Sequence, residues 1–298
     1  SPVEVFGFSL TPFVIIGGLI LLRLFVSWQR HREERGEDPL VHLALFRIVP
    51  LRSGLSMMLA QNLILMGIFF TIPLYLQVVL GFDALETGVR MLPTSVGLFA
   101  TSLVGSALAS RFAPRPLVRI GLVIVFVAAL LLVAMGVLGV GMGLIVSQLG
   151  NVAQSAVGDS DRSEAGGLQY TAQQLGSSLG TAVLGAILIT GLLTAFSDNV
   201  AGHAEISQQT KAQVEQRLSS GGSFVPADQV RQAAEQAGVD EEETTAIVDG
   251  YEDAQLQSLK LALLIAALLA IPSFWSARNL PGRVLGAGEG EAEPAQST

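Results

Sequence analysis

Residues 54–80 read GLSMMLAQNLILMGIFFTIPLYLQVVL, twenty-seven positions without one charged side chain. A helix needs about 20 mostly apolar residues to cross the hydrocarbon layer of a bilayer, and this stretch has more. Lipid offers peptide groups no hydrogen-bond partners, so such a stretch must coil. Working outward, six further apolar stretches follow the same pattern, at 8–27, 90–109, 117–135, 137–157, 168–196 and 259–275. Composition agrees, with 50% apolar and only 14% charged residues in 298, against about 25% charged in an ordinary soluble domain. The chain reads as an all-α integral membrane protein with about seven transmembrane helices.

The net charge of −8 is not spread evenly. Residues 196–257 hold 12 acidic and 3 basic side chains, so this segment nets −9 and the remainder nets +1. No basic face exists for a nucleic acid. Arginines gather instead between the apolar stretches, at 30, 32, 35, 47 and 52, at 111, 115 and 119, at 162, and at 278 and 283. With seven spans all of these fall on one side, and the positive-inside rule makes it the cytoplasm. That puts the chain's N-terminus outside, segment 196–257 outside as an acidic loop segment, a last span within 258–277, and 278–298 as a disordered cytoplasmic tail. No basic region precedes Phe8, so the first stretch is not a signal peptide. The chain opens on Ser1 rather than Met and is expected to be a fragment.

Residues 117–157 strain this scheme. As one helix, 41 residues would reach about 62 Å, twice the membrane. Two spans fit only with an almost loopless turn near Gly136, and a deletion of an outer loop is equally compatible.

Polarity differs among the spans. In 137–157, Ser147, Gln148, Asn151, Gln154 and Ser155 recur at helical spacing. In 168–196, Tyr170, Gln174, Ser177 and Thr181 share a face, with Gln169 and Gln173 beside it, and Gln61 and Asn62 mark a smaller patch in 54–80. Amides are costly in lipid unless they face other helices or water. They are either interhelical glue, worth about 0.6 kcal/mol per bond, or the lining of a wet path. The set Gln61, Asn62, Gln148, Asn151, Gln169, Tyr170, Gln173 and Gln174 is the candidate substrate cavity. By contrast, 117–135 and 259–275 lack strongly polar cores and read as lipid-facing.

Gly97, Thr101, Gly105 and Ala109 repeat every fourth position, and Gly139/Gly143 and Gly176/Gly180 are further small-residue pairs, the marks of a tightly packed bundle. Pro73 and Pro93 predict kinks. Asp83 with Glu86 has capping-box spacing and is the candidate helix cap or outer gate, and Asp161 with Glu164 similarly opens the sixth span. Arg111 and Arg115 sit in a short basic turn that either only sets topology or gates the cytoplasmic side. There is no GxxxxGK[ST] loop, no mid-membrane Asp or Glu, and no histidine within a span. These features predict no enzyme, no metal site and no cofactor.

Three stretches together carry a resemblance: PLYLQVVLGFDALETGVRMLP (73–93), SALASRFAPRPLVRIG (106–121) and SQLGNVAQSAVGDSDRSEAGGLQYTAQQLGSSLGTAVLGAIL (147–188). They resemble the C-terminal part of a major facilitator superfamily transporter, and more narrowly the fourteen-span drug:proton antiporters. The second is similar to a weakened copy of that superfamily's cytoplasmic loop motif, with Ser110 in place of an Asp and Ala113 in place of a Gly. The resemblance implies half of a major-facilitator-type bundle, with 8–27 as the eighth of fourteen spans. It implies spans like 137–157 and 168–196 at the central cavity and an N-terminal half carrying the antiporter signature. Carboxylates that some members place in spans like 90–109 and 168–196 are missing here, so proton coupling would rest mainly on that other half. The implied function is proton-driven export of hydrophobic or cationic drugs. Alternatives are a same-fold exporter of one metabolite or lipid precursor, or a non-transporting membrane module that binds a partner through its outer segment.

Overall fold

Glycine spacing and backbone self-sufficiency together set this architecture. The computed structural model describes residues 4–5, 8–37, 39–109, 111–131, 135–203, 206–219 and 224–280. Its helices are α1 (Leu10–Glu34), α2 (Val49–Leu74), α3 (Ala84–Ala109), α4 (Pro114–Leu131), α5 (Met135–Ser155), α6 (Arg162–Gly202), α7 (Gln208–Ser219), α8 (Ala227–Gln236), α9 (Glu241–Leu268) and α10 (Ala270–Ser276). Among the described residues, five helical stretches are long and apolar enough to cross a membrane: Phe13–Glu34, Val49–Val79, Val137–Ser155, Asp159–Gly202 and Glu241–Asn279. Helices α3 and α4 pack in the same bundle.

The first helix departs from its expected bounds. Phe8–Ser9 (β2) instead pairs antiparallel with Glu4–Val5 (β1), and α1 begins at Leu10. It then runs past Ser27 to Glu34, because WQRHREE is as helix-competent as the apolar part and places His31 and Arg32 at the negative end of the helix dipole. Its apolar side chains from Phe13 to Phe25 remain largely exposed.

Missing side chains let the other helices touch backbone to backbone. A Cβ on Gly176 or Gly180 of α6 would strike the carbonyl oxygens of Leu59 and Leu63 in α2. On Gly139 it would strike Thr94 O, and on Gly143 it would lie 2.8 Å from Leu98 O, both in α3. In each pair the contact advances by four residues on both helices, so α2 is parallel to α6 and α3 to α5. Conversely, Gly191 faces Ser258 while Gly250 faces Asn199, so α6 and α9 are antiparallel. Gly121 and Gly141 meet across α4 and α5. Residues 117–157 therefore form two packed helices and not one long rod. Their turn, 132–134, lies outside the described residues.

Proline marks α2 and α3 differently. After Pro73 the chain continues as a π-helical turn, Tyr75–Val79, and leaves it through Gly81 at φ +68°. Helix α3 continues through Pro93.

Segment 196–257 is no simple loop. Helix α6 spans 41 residues, about 62 Å at 1.5 Å per residue, so it outruns a hydrocarbon layer of about 30 Å. Its end packs with α7, α8 and the start of α9 around Leu192, Phe196, Val200, Ile206, Ile247 and Tyr251, a second core separate from that of the bundle. Phe196 and Tyr251 meet edge to face at 5.1 Å between ring centroids. The Tyr251 hydroxyl donates to Val225 O at 3.1 Å, and Gln255 Nε2 donates to the same carbonyl at 2.8 Å. Glu243 holds the start of α7, accepting from Thr210 Oγ1 at 2.6 Å and the Ser207 amide at 3.1 Å. Those bonds, Thr210 first, pull its carboxyl below the usual range. The sequence hid this core because its apolar residues are widely spaced and contributed by four helices.

The last apolar stretch also differs from one uninterrupted span. Helix α9 runs unbroken from Glu241 in the cap to Leu268, and the chain resumes as α10. The tail 281–298, with Arg283, lies outside the described residues.

Candidate functional site

The candidate cavity residues separate into two groups. Gln148 is wholly buried: its Nε2 donates to Gly105 O of α3 at 2.9 Å and to Ser147 Oγ at 3.2 Å, while its Oε1 has no partner among the described residues. Gln169 is buried too, donating across to Gly150 O of α5 at 3.2 Å. Gln61 is buried in α2, and Asn62 is half-buried, donating to Met58 O at 3.0 Å. These four sit in or beside contacts between helices.

The others look outward. Asn151 is exposed, its Nδ2 donating to Ser147 O at 3.3 Å. Tyr170 is 64% exposed and accepts from Gln174 Nε2 at 3.2 Å. Thr171, Ser178 and Thr181 continue this exposed face, each bonded to the carbonyl one turn back. Gln173 is half-buried between the groups. The split follows from helix geometry. Residues 165, 169, 172, 176, 180, 184 and 188 form the buried stripe of α6, and one residue forward turns a side chain by about 100°.

The expected caps also part ways. Asp83 Oδ1 accepts the Glu86 amide at 2.7 Å, an N-cap bond. Asp161 makes no such bond at the start of α6. Glu164 serves elsewhere: its carboxylate accepts the backbone N–H of His42 and meets His42 Nδ1 at 3.0 Å. The next amide, Leu43 N, donates to Glu33 of α1 at 2.7 Å. The loop before α2 is thereby tied to α1 and α6 at once. Nothing in the sequence pointed to this, because His42 and Glu164 lie 122 positions apart.

The Glu164 hydrogen bond raises the His42 pKa above its ordinary 6.5, aided by the charges of Glu164, Asp161 and Glu33 and opposed by desolvation. A raised folded-state value makes this tie strongest below pH about 6.5 and loses it as pH climbs through the folded pKa. Histidine NMR titration of the full chain should show His42 titrating above a free imidazole, and Glu164→Gln should return it toward 6.5. An unchanged midpoint would remove the assigned cause.

Arg111 is exposed in the turn before α4, and Arg115 is part-buried. Neither pairs with a carboxylate among the described residues. A cleft of about 630 Å³ that the sequence did not announce opens between α6 and α9, lined by Thr190, Thr194, Asp198, Gln257 and Ser258 over apolar side chains. Its walls are antiparallel helices far apart in the chain.

A family model of the Major Facilitator Superfamily matches residues 3–181, more than half of the chain. The chain belongs to the Major Facilitator Superfamily. Its five long apolar helical stretches agree with a multi-pass membrane protein. It is 33% identical over 183 residues to the tetracenomycin C resistance and export protein of Streptomyces glaucescens, covering 56% of this chain and 34% of that protein. It is 30% identical over 206 residues to a probable actinorhodin transporter of Streptomyces coelicolor, covering 63% and 35%. It is also 30% identical over 183 residues to the multidrug efflux pump LfrA of Mycolicibacterium smegmatis, covering 57% and 36%. The match spans about a third of the length of these relatives.

Proposed function

We propose that this chain is the C-terminal half of a secondary exporter that expels hydrophobic or amphipathic, often cationic, compounds by proton antiport. The observation that carries the reading is the exposed hydroxyl and amide face of α5 and α6 around Asn151, Tyr170 and Gln174. Such a face is costly against lipid. Water or a second helical bundle would relieve that cost, and rocking of two bundles about a midplane site is how such transporters alternate access. Tyr170 and the neighbouring amides offer tolerant hydrogen bonding without a fixed charge, which suits chemically varied substrates. No Asp or Glu lies within the central turns of α2, α3 or α5, so the proton-carrying carboxylates belong to an N-terminal half. Arg111 and Arg115 would close the cytoplasmic side against acidic groups of that half, and Asp83 would cap α3 beside the outer mouth.

The test is dye and antibiotic accumulation in cells expressing the complete transporter. Lower accumulation, abolished by a protonophore, is expected. Accumulation equal to that of cells without the protein across a broad panel would refute export of such compounds. A narrower reading, export of one metabolite, draws support from the relative named for tetracenomycin C. A single expelled compound in the same panel would select it.

Orientation follows from the arginines. With 28–52 cytoplasmic and the helical cap outside, Glu34→Cys should resist an impermeant thiol reagent on intact cells while Gln236→Cys should react. Both positions are exposed, and the chain has no other cysteine. The opposite labelling pattern would invert the topology.

A further inference from the structure

Two stripes of side chains face each other at one end of the bundle. On α4, Arg115 and Arg119 continue into Leu122, Val123 and Phe126 at helical spacing. On α10, Ala270, Ile271 and Phe274 continue to Arg278 in the turn that follows. The apolar halves of both stripes line one groove of about 190 Å³. Its basic end is set by Arg119, whose guanidinium lies 5.3 Å from the Phe274 ring, and by Arg278, stacked 5.4 Å from the Trp275 ring. Trp275 itself is 72% exposed.

Among the described residues no carboxylate pairs with Arg115, Arg119 or Arg278. No Asp or Glu occurs in 106–135 or 254–280. The Nε atoms of Arg115 and Arg119 are buried without a hydrogen-bond partner among the described residues. Buried guanidinium donors call for an anion. Below them the walls are purely apolar, on two helices without strongly polar side chains in their cores. An anionic head above an apolar body is the outline of an anionic phospholipid, and basic pockets between membrane helices suit such headgroups. The exposed Trp275 beside Phe274 is of the residue type enriched at the headgroup level.

We infer that the groove between α4 and α10 binds one anionic phospholipid, with Arg119 and Arg278 at its net-negative headgroup and an acyl chain along Val123, Phe126 and Ile271. The groove is lined by no residue of the exposed polar face of α5 and α6 and does not depend on what is transported.

The test is native mass spectrometry of the delipidated full chain, titrated with phosphatidylglycerol or with phosphatidylcholine of the same acyl chains. At about fivefold per arginine near a headgroup, the two give a preference for phosphatidylglycerol of about 25-fold. Arg119→Gln/Arg278→Gln should abolish the preference, Arg119→Lys/Arg278→Lys should keep most of it, and Val123→Trp, filling the groove, should weaken both lipids. If the double glutamine variant aggregates, Arg278→Gln alone, at an exposed position, should cost about fivefold. Equal retention of both lipids by the unaltered chain, or a preference that survives in the glutamine variants, would overturn the assignment. So would a preference that emerges only after removal of 286–298, since Glu289, Glu291 and Glu293 of the tail would then be the natural occupants.

Discussion

Leucine at Gly176 or Gly180 is expected to prevent the bundle from assembling. A side chain at either position would enter the space held by the carbonyl oxygens of Leu59 and Leu63 in α2, and backbone cannot swing aside as a side chain can. Overpacking a core costs about 1–3 kcal/mol where side chains can adjust; here separation of α2 from α6 is the only relief. Because helices in lipid associate through close packing and not through water exclusion, that separation removes the attraction itself. Gly166→Ala on the same helix, where nothing lies within 4 Å, is the matched control. Size-exclusion profiles and thermal unfolding in detergent should show the leucine variants aggregated or absent and the alanine control unchanged. A Gly176→Leu protein with the unaltered melting temperature would contradict the parallel α2–α6 contact.

Local periodicity made much of this architecture legible. Gly139/Gly143 and Gly176/Gly180 announce close approach because four-residue spacing is enough to define a helix face. The acidic segment instead folds into helices at 208–219 and 227–236. Their joint core could not be placed, since Ile206, Val214 and Ile247 are isolated apolar residues until four helices converge. The division within the amide set was illegible for a different reason. A helical wheel groups Gln169 with Tyr170 and Gln148 with Asn151, but it does not say which side of that wheel a neighbouring helix occupies. Helix α3 covers Gln148, α5 receives Gln169, and among the described residues nothing covers Tyr170. Glu164 shows the same limit at long range. Its spacing from Asp161 suggests a local cap, whereas His42 competes for the carboxylate from across the chain and holds it.

The split among the amides gives a sharper expectation than the whole set did. Gln148 and Gln169 hold helices together, so alanine there should lower stability by on the order of 1 kcal/mol per lost bond and leave the choice of substrate alone. Among the described residues Asn151, Tyr170 and Gln174 bond only within their own helices, so alanine there should cost little stability and change which compounds are recognised. The gap between the two groups is the largest functional contrast this structure predicts, severalfold in relative efflux among compounds for the outward group and none for the inward one.

The most direct measurement is therefore the relative efflux of a panel of amphipathic cations and neutral compounds by Asn151→Ala, Tyr170→Ala and Gln174→Ala in the complete transporter. Surface abundance should be matched throughout, with Gln148→Ala and Gln169→Ala alongside. A transport path along the exposed face of α5 and α6 predicts reordered preferences for the first three and the original order, at lower abundance, for the last two. Unchanged preferences in all of Asn151→Ala, Tyr170→Ala and Gln174→Ala would contradict it.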